Sequence, residues 1–429
     1  MTMAGVLMLS FGVMMLLGLP IAFAMALAAV MTIANHPTLP FSVFVQRALI
    51  GADSYSLLAI PFFILAGNIM NVGGITARII GFANACVGRF SGGLGLTTVM
   101  SCMVFSGVSG SAVADATALG KVLIPGMKRS GYDPGFAASI TASASVMGPI
   151  IPPSIPLVIY ALSVGKGVSV AALFLGGVIP GLLLGGGLAA VVYLISRARK
   201  YPVNEAVPLR QVLRSGGKAI WALMMPFVIL FGVTGGVVTV TESAAVAVLY
   251  ALFVAMVIHR ELSWRQLWSI CVQSGLDSAV VMIIIAFAAG FGWLMAVSGL
   301  PREIATWIGA FSDNPWVILI LINVLLLIVG CFMEAIAAMI ILIPVLIPIV
   351  EAVGIDLVHF GLVIVFNLML GLLTPPVGIL LYICGNFAQV KIERVVREVL
   401  PFLAVGFGVL AIITFIPEVV LWLPRLVLN

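Results

Sequence analysis

Two stretches of this chain carry residue types that could hold an ion or a small anion: Phe105-Ser-Gly-Val-Ser-Gly-Ser-Ala-Val-Ala-Asp115 and Gly148-Pro-Ile-Ile-Pro-Pro-Ser154. Both are small, polar, Gly- and Pro-broken islands in a hydrocarbon-like sequence. Ser106, Ser109 and Ser111 offer hydroxyls, while Gly107 and Gly110 let the backbone turn sharply and bring carbonyls close to a bound group. Hydroxyl and carbonyl oxygens suit a hard monovalent cation, and half-helix N-termini suit a carboxylate. Asp115, a turn further on, is an intramembrane carboxylate and so a functional candidate. The competing explanation is close helix packing, which also enriches Gly and Ser. The stretch from Gly148 to Ser154 cannot be continuous helix, because consecutive prolines remove donors and push the preceding residue out of the α region. Its freed carbonyls must find donors or cations.

The second half of the chain repeats the pattern. At an offset of 223 residues (Gly67 to Gly290), Gly107 pairs with Gly330, Ile124-Pro125 with Ile347-Pro348 and Gly131 with Gly354. Asp133 then pairs with Asp356, Gly148 with Gly371 and Pro152-Pro153 with Pro375-Pro376. Matching Leu with Leu would carry nothing in so apolar a sequence, but a gapless run of Gly, Pro and Asp matches is an internal repeat. The twin break, Gly371-Leu-Leu-Thr-Pro-Pro-Val377, adds the Thr374 hydroxyl, so the two breaks argue for a pair of cation sites. Glu334 falls opposite Ser111 in the repeat and could be a ligand, a proton site or a carboxylate held by a half-helix N-terminus. Asn68 and Asn367 are polar groups in apolar spans, either packing amides or substrate contacts. With Ser106 and Glu334 they make the candidate substrate-binding set.

The elements that position these residues are membrane helices. Of 429 residues, 63% are hydrophobic and 8% charged, against about 25% charged in a soluble domain. Continuous, non-alternating apolar runs indicate a polytopic α-helical protein and exclude a β-barrel. The net charge of +5 sits in short loops, which the positive-inside rule explains without nucleic acid. The five cysteines form no CxxC pair and read as packing residues. The N-terminal apolar run lacks a positive n-region and is too long for a signal peptide, so it is expected to be retained.

Apolar spans are expected at 4–33, 53–71, 171–196, 218–234, 240–258, 277–297 and 399–421. Segments 92–127 and 315–350 each read as a re-entrant hairpin, and 135–164 and 357–386 as broken helices. Segments 75–90 and 301–311 are amphipathic and expected along an interface. Arg197, Arg199, Lys200, Arg210, Arg214 and Lys218 place the 197–218 loop in the cytoplasm. Arg89 and Lys128-Arg129 put the first hairpin's open end there too. Asp313, Glu351 and Asp356 flank the second hairpin without Lys or Arg, so it enters from the opposite side, provided 301–311 does not span. The halves are therefore inverted, as in alternating-access carriers.

Gly107-Val-Ser109-Gly110 also fits the GxSG pattern of rhomboid-like intramembrane serine proteases. That chemistry needs a histidine base within reach of Ser109, and His36, His259 and His359 all lie at span ends or in loops. No HExxH, Walker A or GxGD motif is present, and the chain is read as a carrier and not an enzyme.

Taken together, Ser109–Asp115, Gly148–Pro156, Gly235-Gly-Val-Val-Thr-Val-Thr-Glu242 and Gly371–Gly378 resemble the large membrane subunit of tripartite ATP-independent periplasmic (TRAP) transporters, the DctM or SiaM type. The resemblance covers essentially the whole chain. It implies an elevator-type permease of the bacterial inner membrane that imports an organic acid, such as a sialic acid or dicarboxylate, by symport with about two sodium ions. It further implies two partners, a periplasmic substrate-binding protein and a small four-helix membrane subunit, the latter expected as a separate chain. The family's sodium sites fall on Ser109 and Ser111 with Gly148, Ile151 and Pro153, and on Gly330 with Gly371, Thr374 and Val377. Glu334 departs from the family pattern, where Asp is expected. The expected organisation is a first inverted repeat at 1–165, a connecting span and basic loop at 166–217, a second repeat at 218–390 and a final scaffold helix at 391–429. Spans 4–33, 171–196, 218–258 and 399–421 are expected to form the scaffold around mobile hairpins.

Overall fold

The computed structural model describes residues 2–36, 39–165, 167–203, 207–300, 303 and 314–428. Every regular element among them is helical, and eight helices are long and apolar enough to cross a membrane. The protein is a multi-pass membrane protein.

The chain begins with α1 (Met3–Leu16) and α2 (Ile21–Asn35), which pack together. The expected single span 4–33 is therefore two helices, because Gly18 takes φ +79° and Pro20 follows, ending one helix and starting the next. Then come α3 (Phe41–Ala52), which lies outside the expected spans, α4 (Ala59–Val72) and the amphipathic α5 (Ile75–Val87).

Next follow α6 (Gly93–Ser109) and α7 (Ala112–Arg129), the expected first hairpin. Gly110, at φ +62°, closes α6, and the Ser111 hydroxyl caps α7 by accepting from the Ala114 N–H at 3.4 Å. α8 (Pro134–Ser145) and α9 (Ile155–Val164) form the first broken helix. Asp133 starts α8 by accepting from the N–H groups of Gly135 and Phe136, and Ser154 starts α9 from the Leu157 N–H. α10 (Val170–Ala198) leads to the basic loop.

The second half holds α11 (Leu209–Thr234), α12 (Val240–Leu252) and α13 (Trp264–Val297). Both α11 and α13 start well before the apolar runs that marked them, because polar turns at Arg210–Lys218 and Gln266–Gln273 continue the helices outward. Thr239 and Glu242 form a reciprocal capping box at α12, which gives this turn a structural role. The second hairpin is α14 (Pro315–Phe332) and α15 (Ala335–Ala352), and the second broken helix is α16 (Leu357–Gly371) and α17 (Ile379–Ala388). Asp356 caps α16 as Asp133 caps α8. Pro152–Pro153 and Pro375–Pro376 are both cis. The chain ends with α18 (Ile392–Phe415) and α19 (Glu418–Leu428). Segment 301–311 lies outside the described residues apart from Glu303.

Packing divides these helices into two groups. α1, α2, α3, α4, α12 and α13 pack mainly on one another. The hairpins, broken helices, α10, α18 and α19 form the second group. Contacts are reciprocal between the halves: α7 packs on α17 while α15 packs on α9, and α4 packs on α12 while α13 packs on α2. Such exchange is what two inverted repeats produce.

One expectation changes. Segments 171–196 and 399–421 were assigned to the scaffold, but α10 and α18 pack on the broken helices. Glycines are the reason. A Cβ on Gly177 would lie 2.2 Å from the Ile150 carbonyl oxygen, and one on Gly181 would lie 2.4 Å from Ile151, so α10 presses directly on the first break. Gly406 lets α18 do the same against Leu370. The Ser139 hydroxyl donates to the Val395 carbonyl at 2.9 Å, and Arg394 pairs with Asp133.

Candidate functional site

A cavity of about 560 Å³ lies between the two groups, within the size range of small-molecule sites. One wall is α4 and α13, which contribute Gly67, Asn68, Asn71, Gln273 and Asp277. The other is the first hairpin tip, Ser109 to Ala114, with Thr117, together with Pro149 and Ile155 of the first break. Glu334 and Ile336 bring in the second hairpin, and Met369 and Leu372 the second broken helix. Both hairpin tips and both broken helices thus meet one space.

At the first tip the backbones approach closely. A Cβ on Gly110 would sit 2.7 Å from the Pro153 carbonyl oxygen, and one on Gly148 would sit 2.6 Å from Asp115 Oδ2 and 3.1 Å from the Ser111 carbonyl oxygen. Gly148 and Pro153 are therefore brought to the tip that carries Ser109 and Ser111. Ile151 turns its side chain to α10 and its N–H bonds the Met147 carbonyl.

Asp115 is completely buried. Ser109 donates to its Oδ1, and Ser106 lies 3.4 Å from Oδ2 while donating to the Cys102 carbonyl at 2.6 Å. The sequence offered three serine hydroxyls as ion ligands. Ser109 is engaged in holding this carboxylate, and Ser106, its proton on the Cys102 carbonyl, is sealed behind the tip away from the cavity lining. Ser111 is left facing the cavity.

The second tip is built from backbone. A Cβ on Gly371 would lie 2.6 Å from both Cα and carbonyl carbon of Gly330 and 2.9 Å from its oxygen. Only two glycines permit this contact, which joins hairpin to break. The Thr374 hydroxyl donates to the Leu370 carbonyl at 2.8 Å, and Val377 lies in the linker before Gly378, which starts α17 at φ +60°. Glu334 caps α15: its Oε2 accepts from the Ala337 N–H at 3.1 Å, and the N–H groups of Ala335 and Ile336 also face its carboxylate. Of the three roles left open for it, the structure shows the capping one.

The two asparagines separate. Asn68 lines the cavity and donates to the Ser274 hydroxyl at 2.9 Å. Asn367 is fully buried and turned to α14, donating to both carbonyl and side-chain oxygens of Asn323, which in turn donates to Thr414. It is a packing amide joining α14, α16 and α18. Its expected place among the substrate contacts is corrected accordingly.

Asn71, Thr117, Gln273 and Asp277 line the cavity and were not singled out from the sequence. A signal for two of them exists: Gln273, Ser274, Asp277 and Ser278 carry polar groups into the 34-residue helix beyond its polar first turns. Gln273 donates to Asp277 at 2.9 Å. No histidine lines the space, and Ser109 donates to Asp115, so the protease geometry is absent among the described residues.

The model of the "Tripartite ATP-independent periplasmic transporter, DctM component" family matches residues 8–419. The chain is 40% identical over 414 residues to the sialic acid TRAP transporter large permease protein SiaM of Vibrio cholerae, covering 96% of each. It is 40% identical over 374 residues to the C4-dicarboxylate TRAP transporter large permease protein DctM of Pseudomonas aeruginosa, covering 87% of each. Among solved structures, the YdaH transporter of Alcanivorax borkumensis superposes with a TM-score of 0.64 at 16% identity over 87% of each chain, a likeness of fold. The named relatives are permeases, not enzymes.

Proposed function

The chain belongs to the DctM component of tripartite ATP-independent periplasmic transporters, and on that premise we propose that it is a sodium-coupled carrier that imports an organic acid across the bacterial inner membrane. The group holding α4 and α13 stays fixed. The hairpins and broken helices move as a unit, carrying the cargo from one side to the other. Sodium ions are cargo: one occupies the first tip, against Ser111 and the carbonyls of the Gly148–Pro153 break, and one the second, against the Gly330–Gly371 contact and the Thr374–Val377 linker. A periplasmic binding protein delivers the acid, and a small membrane subunit braces the fixed group.

The observation that carries this reading is the cavity itself. It lies at the boundary between two separately packed groups and touches both hairpin tips, so moving one group relative to the other changes access to both at once. Bare carbonyls at broken helices supply oxygen ligands of the hardness sodium prefers. Uptake by proteoliposomes containing the chain, its small subunit and its binding protein tests the proposal. Uptake driven by an inward sodium gradient without ATP is expected. Uptake unchanged when choline replaces sodium would refute it.

A further inference from the structure

The cavity walls carry a charge pattern with a consequence for the acid that enters. Two carboxylates, Asp277 and Glu334, face the space, and among the described residues lining it there is no Lys, Arg or His. Glu334 already neutralises the first turn of α15, so that helix end is taken by the protein's own anion. The first turn of α7 is capped only by the neutral Ser111 hydroxyl, and Ala112, Val113 and Ala114 line the cavity there. The wall of α4 and α13 is rich in acceptors. Asp277 has one oxygen on Gln273 and a second carboxylate oxygen beyond it, and Asn68 uses its amide N–H on Ser274, leaving a carbonyl oxygen. Asn71 accepts from Thr76 at 3.1 Å through Oδ1, which leaves its N–H₂ as a donor.

Resting on the carrier reading above, we infer that the cargo acid is a monocarboxylate bearing several hydroxyl or amide donors, of the sugar-acid class, and not a dicarboxylate. Its single carboxylate lies at the first hairpin tip with the sodium ion, and its donors meet Asp277, Asn68 and Glu334 across the cavity. A second carboxylate would have to take the place of those donors, opposite two acids, where like charges repel and acceptors are left without donors. A plain fatty acid of similar length would leave the same acceptors unpaired.

The test uses the full chain in nanodiscs, with binding followed by its tryptophan fluorescence at high and low sodium. The probes are gluconate, a hydroxylated monoanion; succinate, a dianion; and hexanoate, a monoanion without hydroxyls. Gluconate should bind in a sodium-dependent way, at least about tenfold tighter than either of the others, as expected for one charged hydrogen bond gained or lost. Asp277→Asn should weaken gluconate about tenfold while strengthening succinate, and Asn71→Ala should weaken gluconate without helping succinate. Either variant suffices if the other fails to fold. Sodium-dependent binding of succinate at equal or greater affinity overturns this inference and leaves the carrier reading standing. No gluconate binding overturns this inference alone, whereas gluconate binding that is independent of sodium overturns the sodium coupling on which it rests.

Discussion

The two hairpin tips occupy matching places in the repeat and are made of different chemistry. The first carries Ser106, Ser109, Ser111 and Asp115; the matching positions of the second are Val329, Phe332, Glu334 and Ala338. In the first, the carboxylate is sealed inside, where the Ser109 hydroxyl holds it. In the second, the carboxylate stands at the very tip, facing the cavity and capping its helix. The backbone does not follow this divergence. Each tip meets a Gly-containing break, and each break ends in a Pro-Pro pair. Symmetry is thus kept by the parts that bring bare carbonyls together and abandoned by the side chains around them. Two tips alike in backbone and unlike in polarity result, a neutral hydroxyl facing the cavity at one and a carboxylate at the other.

That contrast can be broken in several ways. Gly371→Ala has the largest expected effect. Its Cβ would enter the Gly330 backbone, which cannot swing aside as a side chain would. Sodium-driven uptake should fall to background with the protein still inserted, and uptake above half of wild type would show that the second tip does not need this contact. Asp115→Ala comes next. It strips the Ser109 hydroxyl of its acceptor in a dry interior, at a cost of about 1–3 kcal/mol, and should lower the thermal midpoint in detergent more than Glu334→Ala does. The latter loses a helix cap worth about 1 kcal/mol. Equal destabilisation by both would mean that the sealed and open carboxylates are equivalent after all.

Thr374→Ala and Ser111→Ala probe the ions. Each should raise the half-saturating sodium concentration for uptake by about threefold to tenfold, the range of one weak ligand. Unchanged values in both would remove the ions from these places.

The smallest effect belongs to a control away from either tip. Arg78 on α5 donates to Glu261, between α12 and α13, at 2.6 Å, and this hydrogen bond holds the Glu261 carboxyl below the usual carboxylate range. A lowered folded-state value contributes stability above the unfolded value of about 4.3, lost only as pH falls through the lower folded value. The difference in melting temperature between wild type and Glu261→Gln should therefore be small and constant from pH 8 to about pH 6.5, above the range in which the neighbouring His259 gains charge. It should shrink in acid as Glu261 protonates. A change between pH 7 and 8 would assign the pair another role.

Much of this architecture is written in punctuation that survives in an apolar sequence. Gly, Pro and Asp at repeated spacing located both hairpins and both breaks, while the structure shows that the matched Asp133 and Asp356 are helix caps. What the sequence hid was partnership. Nothing in the run of three serines tells that two of them turn inward to Asp115, since helical phase about the Gly110 turn decides it. Asn367 looked like Asn68, a lone amide in an apolar helix, until Asn323 was seen beside it. The membership of α10 was hidden for the same reason: its glycines read as generic membrane-helix residues, and only the break they face shows why they are glycine. Gln273 falls in the turn before the apolar run 277–297 and Asp277 at that run's first position, where a carboxylate reads as a span end.

A map of the full chain by electron cryo-microscopy, in sodium and again in choline, tests the central claim most directly. The account predicts spherical density at both hairpin tips in sodium alone, one near Ser111 and the Gly148–Pro153 carbonyls and one near Gly330 and Thr374. Helix running unbroken through either Pro-Pro pair, or maps that do not differ between the two salts, would contradict it.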